Sequence, residues 1–124
     1  MAATILETIA AYARRRVEQD RAGESMELLQ ERCRQAGRAH GERFRQALER
    51  PGLSLICEIK KASPSKGVIS QDFPYLDIAR EYQKAGADAI SCLTEPKWFL
   101  GSDEIFRDVR AAIDLPMLRK DFTV

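Results

Sequence analysis

The chain has 124 residues, 44% of them hydrophobic and 31% charged, and a net charge of +1. That length and balance suit one soluble domain with a real core, and no apolar run approaches the ~20 residues that cross a bilayer. The opening segment from Met1 to Glu7 lacks the charged-then-apolar order of a secretory signal, so a cytoplasmic protein without a membrane partner is expected.

Charge is spread unevenly. Residues 1–50 hold ten arginines, no lysine and eight acids, for +2, and residues 51–124 sum to −1. The arginines are interleaved with glutamates, a pattern that favours a solvated helix surface over a nucleic-acid interface. Three cysteines (Cys33, Cys57, Cys92) at wide spacing fit neither a zinc site nor a disulfide framework. Cys57 and Cys92 lie in apolar runs, where cysteine acts as a small buried hydrophobe. His40, the single histidine, has no other ligand type beside it and reads as a surface residue, so no metal is expected.

From Thr4 to Arg50 the chain is rich in Ala, Arg, Glu, Gln and Leu, all strong helix formers. Leu6, Ile9, Ala10, Ala13 and Val17 recur at three- and four-residue steps and predict a helix from about Thr4 to Asp20. Gly23 interrupts it, and Ser25 is suited to cap a second helix carrying Met26, Leu28 and Leu29. A short third helix carries Phe44 and Leu48. These stripes are too extensive for the helices to bury on one another, so they call for a larger body to pack against.

Pro51-Gly52 marks a change of period. Residues 54–59 read as a buried strand, 77–85 as a helix that Gly86 closes, 88–94 as a second strand, 103–113 as a second helix with Ile105, Phe106, Val109 and Ile113 on its apolar face, and 115–120 as a third strand. The order β-α-β-α-β, with near-continuously apolar strands about thirty residues apart, is that of a parallel α/β sheet. The predicted organisation is a helical N-terminal extension over residues 1–52 and a βαβαβ portion over residues 53–124.

In parallel βα folds the reactive groups gather where the strands end. All three strand ends here are polar: Glu58-Ile59-Lys60-Lys61-Ala62-Ser63-Pro64-Ser65-Lys66-Gly67, then Thr94-Glu95-Pro96-Lys97-Trp98-Phe99-Leu100-Gly101-Ser102, then Arg119-Lys120-Asp121-Phe122. Strand alternation puts Glu58 and Lys60 on one face, with Leu55, Cys57 and Ile59 on the other, and Leu118, Lys120 and Phe122 on one face of the third strand. If the faces bearing Glu58, Lys60 and Lys120 coincide, two ammonium groups and a carboxylate meet at one mouth, which suits an anionic substrate and general-acid chemistry. An ordinary ion pair explains the same spacing equally well. The 60–67 segment reads as a flexible basic loop, either an anion clamp or simply solvated. Trp98 and Phe99 either wall an aromatic pocket or pack under the second helix.

Residues 58–67, residues 91–95 (Ser91-Cys92-Leu93-Thr94-Glu95) with 99–102, and residues 116–122, in this order and at this spacing, resemble the first three strand signatures of indole-3-glycerol-phosphate synthases, and residues 1–52 resemble the extension that precedes that family's barrel. The resemblance covers most of the chain and is sharpest from Leu53 onward. It implies the N-terminal part of a (βα)₈ TIM barrel, and tryptophan-pathway chemistry: ring closure, decarboxylation and dehydration of 1-(2-carboxyphenylamino)-1-deoxyribulose 5-phosphate to indole-3-glycerol phosphate, a carbon–carbon lyase reaction. It implies Lys120 as general acid, Glu58 as the carboxylate assisting hydroxyl loss, and Lys60 as the cation for a substrate carboxylate or phosphate. Ser63 and Pro64 match the mobile first loop, and Phe99 and Phe122 match apolar residues around the substrate ring. No metal or organic cofactor is implied.

A (βα)₈ barrel takes ~250 residues, about twice this chain. The family's second catalytic carboxylate, a later asparagine and the phosphate-binding loops have no counterpart here, so the 124 residues alone are expected to be inactive. Two alternatives stand beside this reading. One is a module that self-associates through unpaired strand edges or the N-terminal helices. The other is a different phosphate-binding barrel such as phosphoribosylanthranilate isomerase, which would not require the Glu58–Lys60–Ser63–Pro64 signature.

Overall fold

The computed structural model describes residues 2–37 and 40–124. They form two compact units, residues 2–37 with 122–124 and residues 40–121.

In the first unit α1 runs Ile5–Gly23 and α2 runs Met26–Ala36. Thr4 starts α1 through a capping box: its hydroxyl accepts from Glu7 N–H at 3.2 Å, and the Glu7 carboxylate accepts from Thr4 N–H at 2.7 Å. These bonds hold the Glu7 carboxyl below its usual range. Ser25 caps α2 by accepting from Leu28 N–H, as its position predicts. Of the apolar stripe, Ile9 and Ala13 are buried, whereas Leu6, Val17, Met26, Leu28 and Leu29 stay exposed.

The second unit holds the sheet. After α3 (Gly41–Leu48) come β1 (Ile56–Ile59), β2 (Ala62–Ser63), β3 (Gly67–Val68), α4 (Tyr75–Lys84), β4 (Ala89–Leu93), α5 (Asp103–Ala112) and β5 (Met117–Lys120). Strands β1, β4 and β5 form a parallel sheet in the order β1-β4-β5. Every predicted strand and helix is present, with ends shifted by a few residues. The segment expected to be a flexible loop differs: β2 and β3 pair antiparallel, Ala62 with Val68 and Ser63 with Gly67. Its cause is local, since the Ser63 hydroxyl accepts from Lys66 N–H and closes the turn, and Ala62 and Ser63 are buried.

Helices α4 and α5 cover one face of the sheet. Ile59, Ile90 and Cys92 from the strands pack with Ala79 of α4 and with Val109 and Ile113 from α5 and its end, and Cys57 joins at the edge. That is the face assigned to Cys57 and Ile59 by alternation. Ser102 caps α5 by accepting from Ile105 N–H, with Asp103 and Glu104 in the first turn. Arg110 closes its other end by donating to the Leu115 and Ile113 carbonyls. Gly86 follows α4 at φ 92°, the left-handed conformation that a helix stop favours.

Candidate active site at the carboxyl ends of the strands

Register decides which side chains share the face turned away from α4 and α5. Glu58 lies beside Ser91, Ser91 beside Leu118, and Leu93 beside Lys120. The Ser91 hydroxyl donates to Glu58 Oε2 at 2.9 Å, so both side chains point the same way, off the helical face. Lys60, just past the end of β1, reaches back to Glu58 Oε1 at 3.4 Å. On β5, Arg119 turns toward α5 and forks onto Asp103 at 2.8 and 3.1 Å, which by alternation leaves Lys120 on the face of Glu58. Lys60 and Lys120 therefore flank Leu93, their backbones two strand spacings, roughly 10 Å, apart.

The electrostatics of this rim are open. Glu58 and Lys60 keep 36% and 34% of their side-chain surface exposed, and Lys120 is exposed, with no acid within ion-pair distance among the described residues. A pair so exposed adds little to stability. Its charges stay available to a ligand. The backbone under it is tied by hydrogen bonds: Tyr82 donates to the Glu58 carbonyl at 3.1 Å, and Thr94 N–H donates to the Lys120 carbonyl at 2.9 Å while its hydroxyl donates to Asp121 at 3.0 Å. Burial among these groups pushes the Tyr82 phenol up, and the Asp108 carboxylate that accepts from Tyr75 does the same to that phenol.

The remaining predicted residues are placed less alike. Ser63 is buried with its hydroxyl engaged in the β2–β3 turn, next to the exposed Pro64. Phe99 is half-buried in the β4–α5 loop. Phe122 falls beyond the end of β5 and belongs to the first unit. The structure also gives contacts to two residues of the second-strand motif to which the sequence reading assigned no role. Ser91 orients Glu58, and the register of two parallel strands is what makes that visible. Glu95, fully buried, accepts from the backbone N–H groups of Lys97, Trp98 and Phe99. An acid at a strand end followed by a short glycine-closed loop was the available signal for it.

A second cleft lies at the opposite end of the strands, lined by Arg43, Gln46, Arg50, Asp88, Leu115 and Pro116. Its cations are already engaged, Arg43 with the Asp114 carbonyl at 2.8 Å and Arg50 with Asp88. It offers no free charge comparable to Lys120.

The family model for indole-3-glycerol phosphate synthase matches residues 6–124. The chain belongs to the indole-3-glycerol phosphate synthase family. The indole-3-glycerol phosphate synthase of Ruminiclostridium cellulolyticum is 48% identical over 120 residues, 97% of this chain and 46% of that protein. The protein of the same name from Endomicrobium trichonymphae is 43% identical over the same shares. That of Campylobacter hominis is 60% identical over 72 residues, 58% of this chain and 28% of that protein. The chain thus spans about half the length of the curated relatives it matches. Within this family, three parallel strands with helices on one face are part of a TIM barrel, and the polar rim is the barrel's carboxyl-terminal end. Among the described residues no helix is long and apolar enough to cross a membrane, and no group of three His, Cys, Asp or Glu side chains is placed to hold a metal.

Proposed function

We propose that the polypeptide carrying this chain is an indole-3-glycerol phosphate synthase, with Glu58, Lys60 and Lys120 as its catalytic residues in this region. One observation carries the reading: a third-exposed carboxylate–ammonium pair and an unpaired ammonium flank one buried strand, on the face opposite α4 and α5 of a sheet whose family is known. In the proposed reaction the ring carbon bearing the carboxylate bonds to the substrate ketone carbon, and Lys120 gives its proton to the ketone oxygen as that bond forms. Carbon dioxide leaves and its electron pair restores the aromatic ring. The new hydroxyl then takes up a proton and leaves as water while the adjacent methylene carbon gives up a proton to form the indole double bond, and Glu58 assists that proton transfer. Lys60, held by Glu58, neutralises a substrate carboxylate or phosphate, while Phe99 walls the ring and Ser63 and Pro64 shape the first loop.

The same reading makes residues 1–52 a helical extension, residues 53–124 the first part of the barrel, and the cytoplasm its setting. It is tested by incubating the full-length polypeptide with 1-(2-carboxyphenylamino)-1-deoxyribulose 5-phosphate and following indole fluorescence. Absence of product, with the protein folded, would overturn it. The 124-residue polypeptide by itself is expected to show negligible turnover.

A second reading concerns that 124-residue polypeptide alone. Ile56 and Leu118, on the outer strands, are 48% and 43% exposed, and β1 and β5 each have one neighbour in the sheet. Open edges of this kind pair with other chains. We expect self-association in sedimentation at micromolar concentration, and a cooperative monomer counts against it.

A further inference from the structure

Glu95 is a fully buried carboxylate with no part in the reaction proposed above. It lies two residues past the end of β4, and its hydrogen bonds are with the loop it begins. Its Oε1 accepts from Lys97 N–H at 3.0 Å, and its Oε2 accepts from Trp98 N–H at 2.7 Å and Phe99 N–H at 3.0 Å. Its own carbonyl accepts from Gly101 N–H at 2.9 Å. Three successive amides converging on one anion form a concave nest of the kind that otherwise captures a free anion. Here the chain supplies the anion itself.

The far end of the loop is equally fixed. Leu100 takes a left-handed φ of 53°, and Gly101 lies so close to the end of β4 that a Cβ there would sit 2.2 Å from the Leu93 carbonyl oxygen. The loop is closed by its backbone and filled by a carboxylate. Trp98 and Phe99 are carried on it half-buried, with Lys97 Nζ 4.7 Å from the Trp98 ring centre. An aromatic wall held in place before the ligand arrives loses little freedom when it binds.

We infer that Glu95 is a positioning residue, whose buried carboxylate sets the backbone of residues 97–99 so that Phe99 meets the aromatic ring of the substrate; the inference rests on the function proposed above. The chemistry requires a carboxylate. Both oxygens accept, so glutamine would turn an amide N–H toward a backbone N–H, and aspartate is one methylene short.

The test uses the full-length polypeptide. Glu95→Gln is expected to raise KM for the carboxyphenylamino substrate about tenfold while kcat stays within about threefold, the pattern of lost ground-state binding. Emission of Trp98, the only tryptophan in these 124 residues, should shift to the red without ligand. Phe99→Ala should raise KM alike, and the double variant should add no further rise, because both act through one contact. A fall in kcat with KM unmoved, or single effects that multiply in the double variant, would overturn the inference. Should Glu95→Gln fail to fold, Phe99→Ala decides, since an unchanged KM there removes the wall that Glu95 is said to hold. A wild-type polypeptide without turnover sinks the functional reading and this inference together. Turnover in the wild type with KM unmoved in both variants sinks the inference alone.

Discussion

The two ends of the parallel sheet each carry an acid beside a base, and the two pairs are built differently. At the amino end, Asp88 is buried, accepts from Leu55 N–H at 2.8 Å and binds the Arg50 guanidinium, so that its charge is spent inside the fold. At the carboxyl end, the Glu58–Lys60 pair is a third exposed and Lys120 stands apart from any acid among the described residues. A buried acid whose oxygens are satisfied fixes chain geometry, because removing it leaves the Leu55 amide without its partner, while Arg50, 65% exposed, returns to water. A half-exposed, incompletely neutralised group costs the fold little and remains ready for an anionic guest. Burial and partner count therefore separate a strut from a site where charge pairing alone does not.

The largest way to break this contrast is Lys120→Ala in the full-length polypeptide. Loss of the proposed general acid should lower kcat by about a thousandfold, with the urea midpoint unmoved. A shifted midpoint and intact turnover would erase the distinction between the two ends. The opposite signature is expected of Asp88→Ala, which leaves Arg50 and the Leu55 amide unpaired. Unfolding free energy should fall by about 1–2 kcal/mol, mainly from the unpaired Leu55 amide, while kcat/KM of the folded fraction is unchanged. Calorimetry beside steady-state kinetics separates these outcomes.

Smaller effects sharpen the picture of the helical layer behind the sheet. Ser102→Ala removes the cap of α5 and should cost about 1 kcal/mol in denaturant titration; no loss would mean that Asp103 and Glu104 satisfy the helix start by themselves. The smallest effect concerns Cys92, whose thiol burial pushes up to about 11 from an ordinary 9.0. The folded protein then holds a proton that the unfolded chain releases, so stability declines as pH climbs through this interval. Below that range, iodoacetamide should label the exposed Cys33 and spare Cys92 until denaturant is added, as peptide mass spectrometry would report. Native-state labelling of Cys92 would mean the helical face opens.

Much of this was legible without coordinates because the signals are local. Stripes at three- and four-residue steps marked α1 and α5, Ser25 marked the start of α2, and apolar runs ending in charged residues marked β1, β4 and β5. Alternation also placed Glu58 on the face opposite Ile59. The hairpin at residues 62–68 was less visible, since two-residue strands carry too little pattern to stand out from a basic loop. Ser91 escaped for another reason. Nothing in its neighbours says that it lies beside Glu58, thirty-three positions earlier.

What the amino-acid order determined on its own is the succession of elements, their buried sides and the family, because periodicity and strand-end motifs are written in consecutive residues. What only the folded chain decided is which charges are spent and which are free. Glu95 and Glu58 are both acids at strand ends, yet one is sealed beneath three backbone amides and the other shares a serine and a lysine at an open rim. That difference arises from register and loop closure, which bring together groups that the chain itself keeps apart.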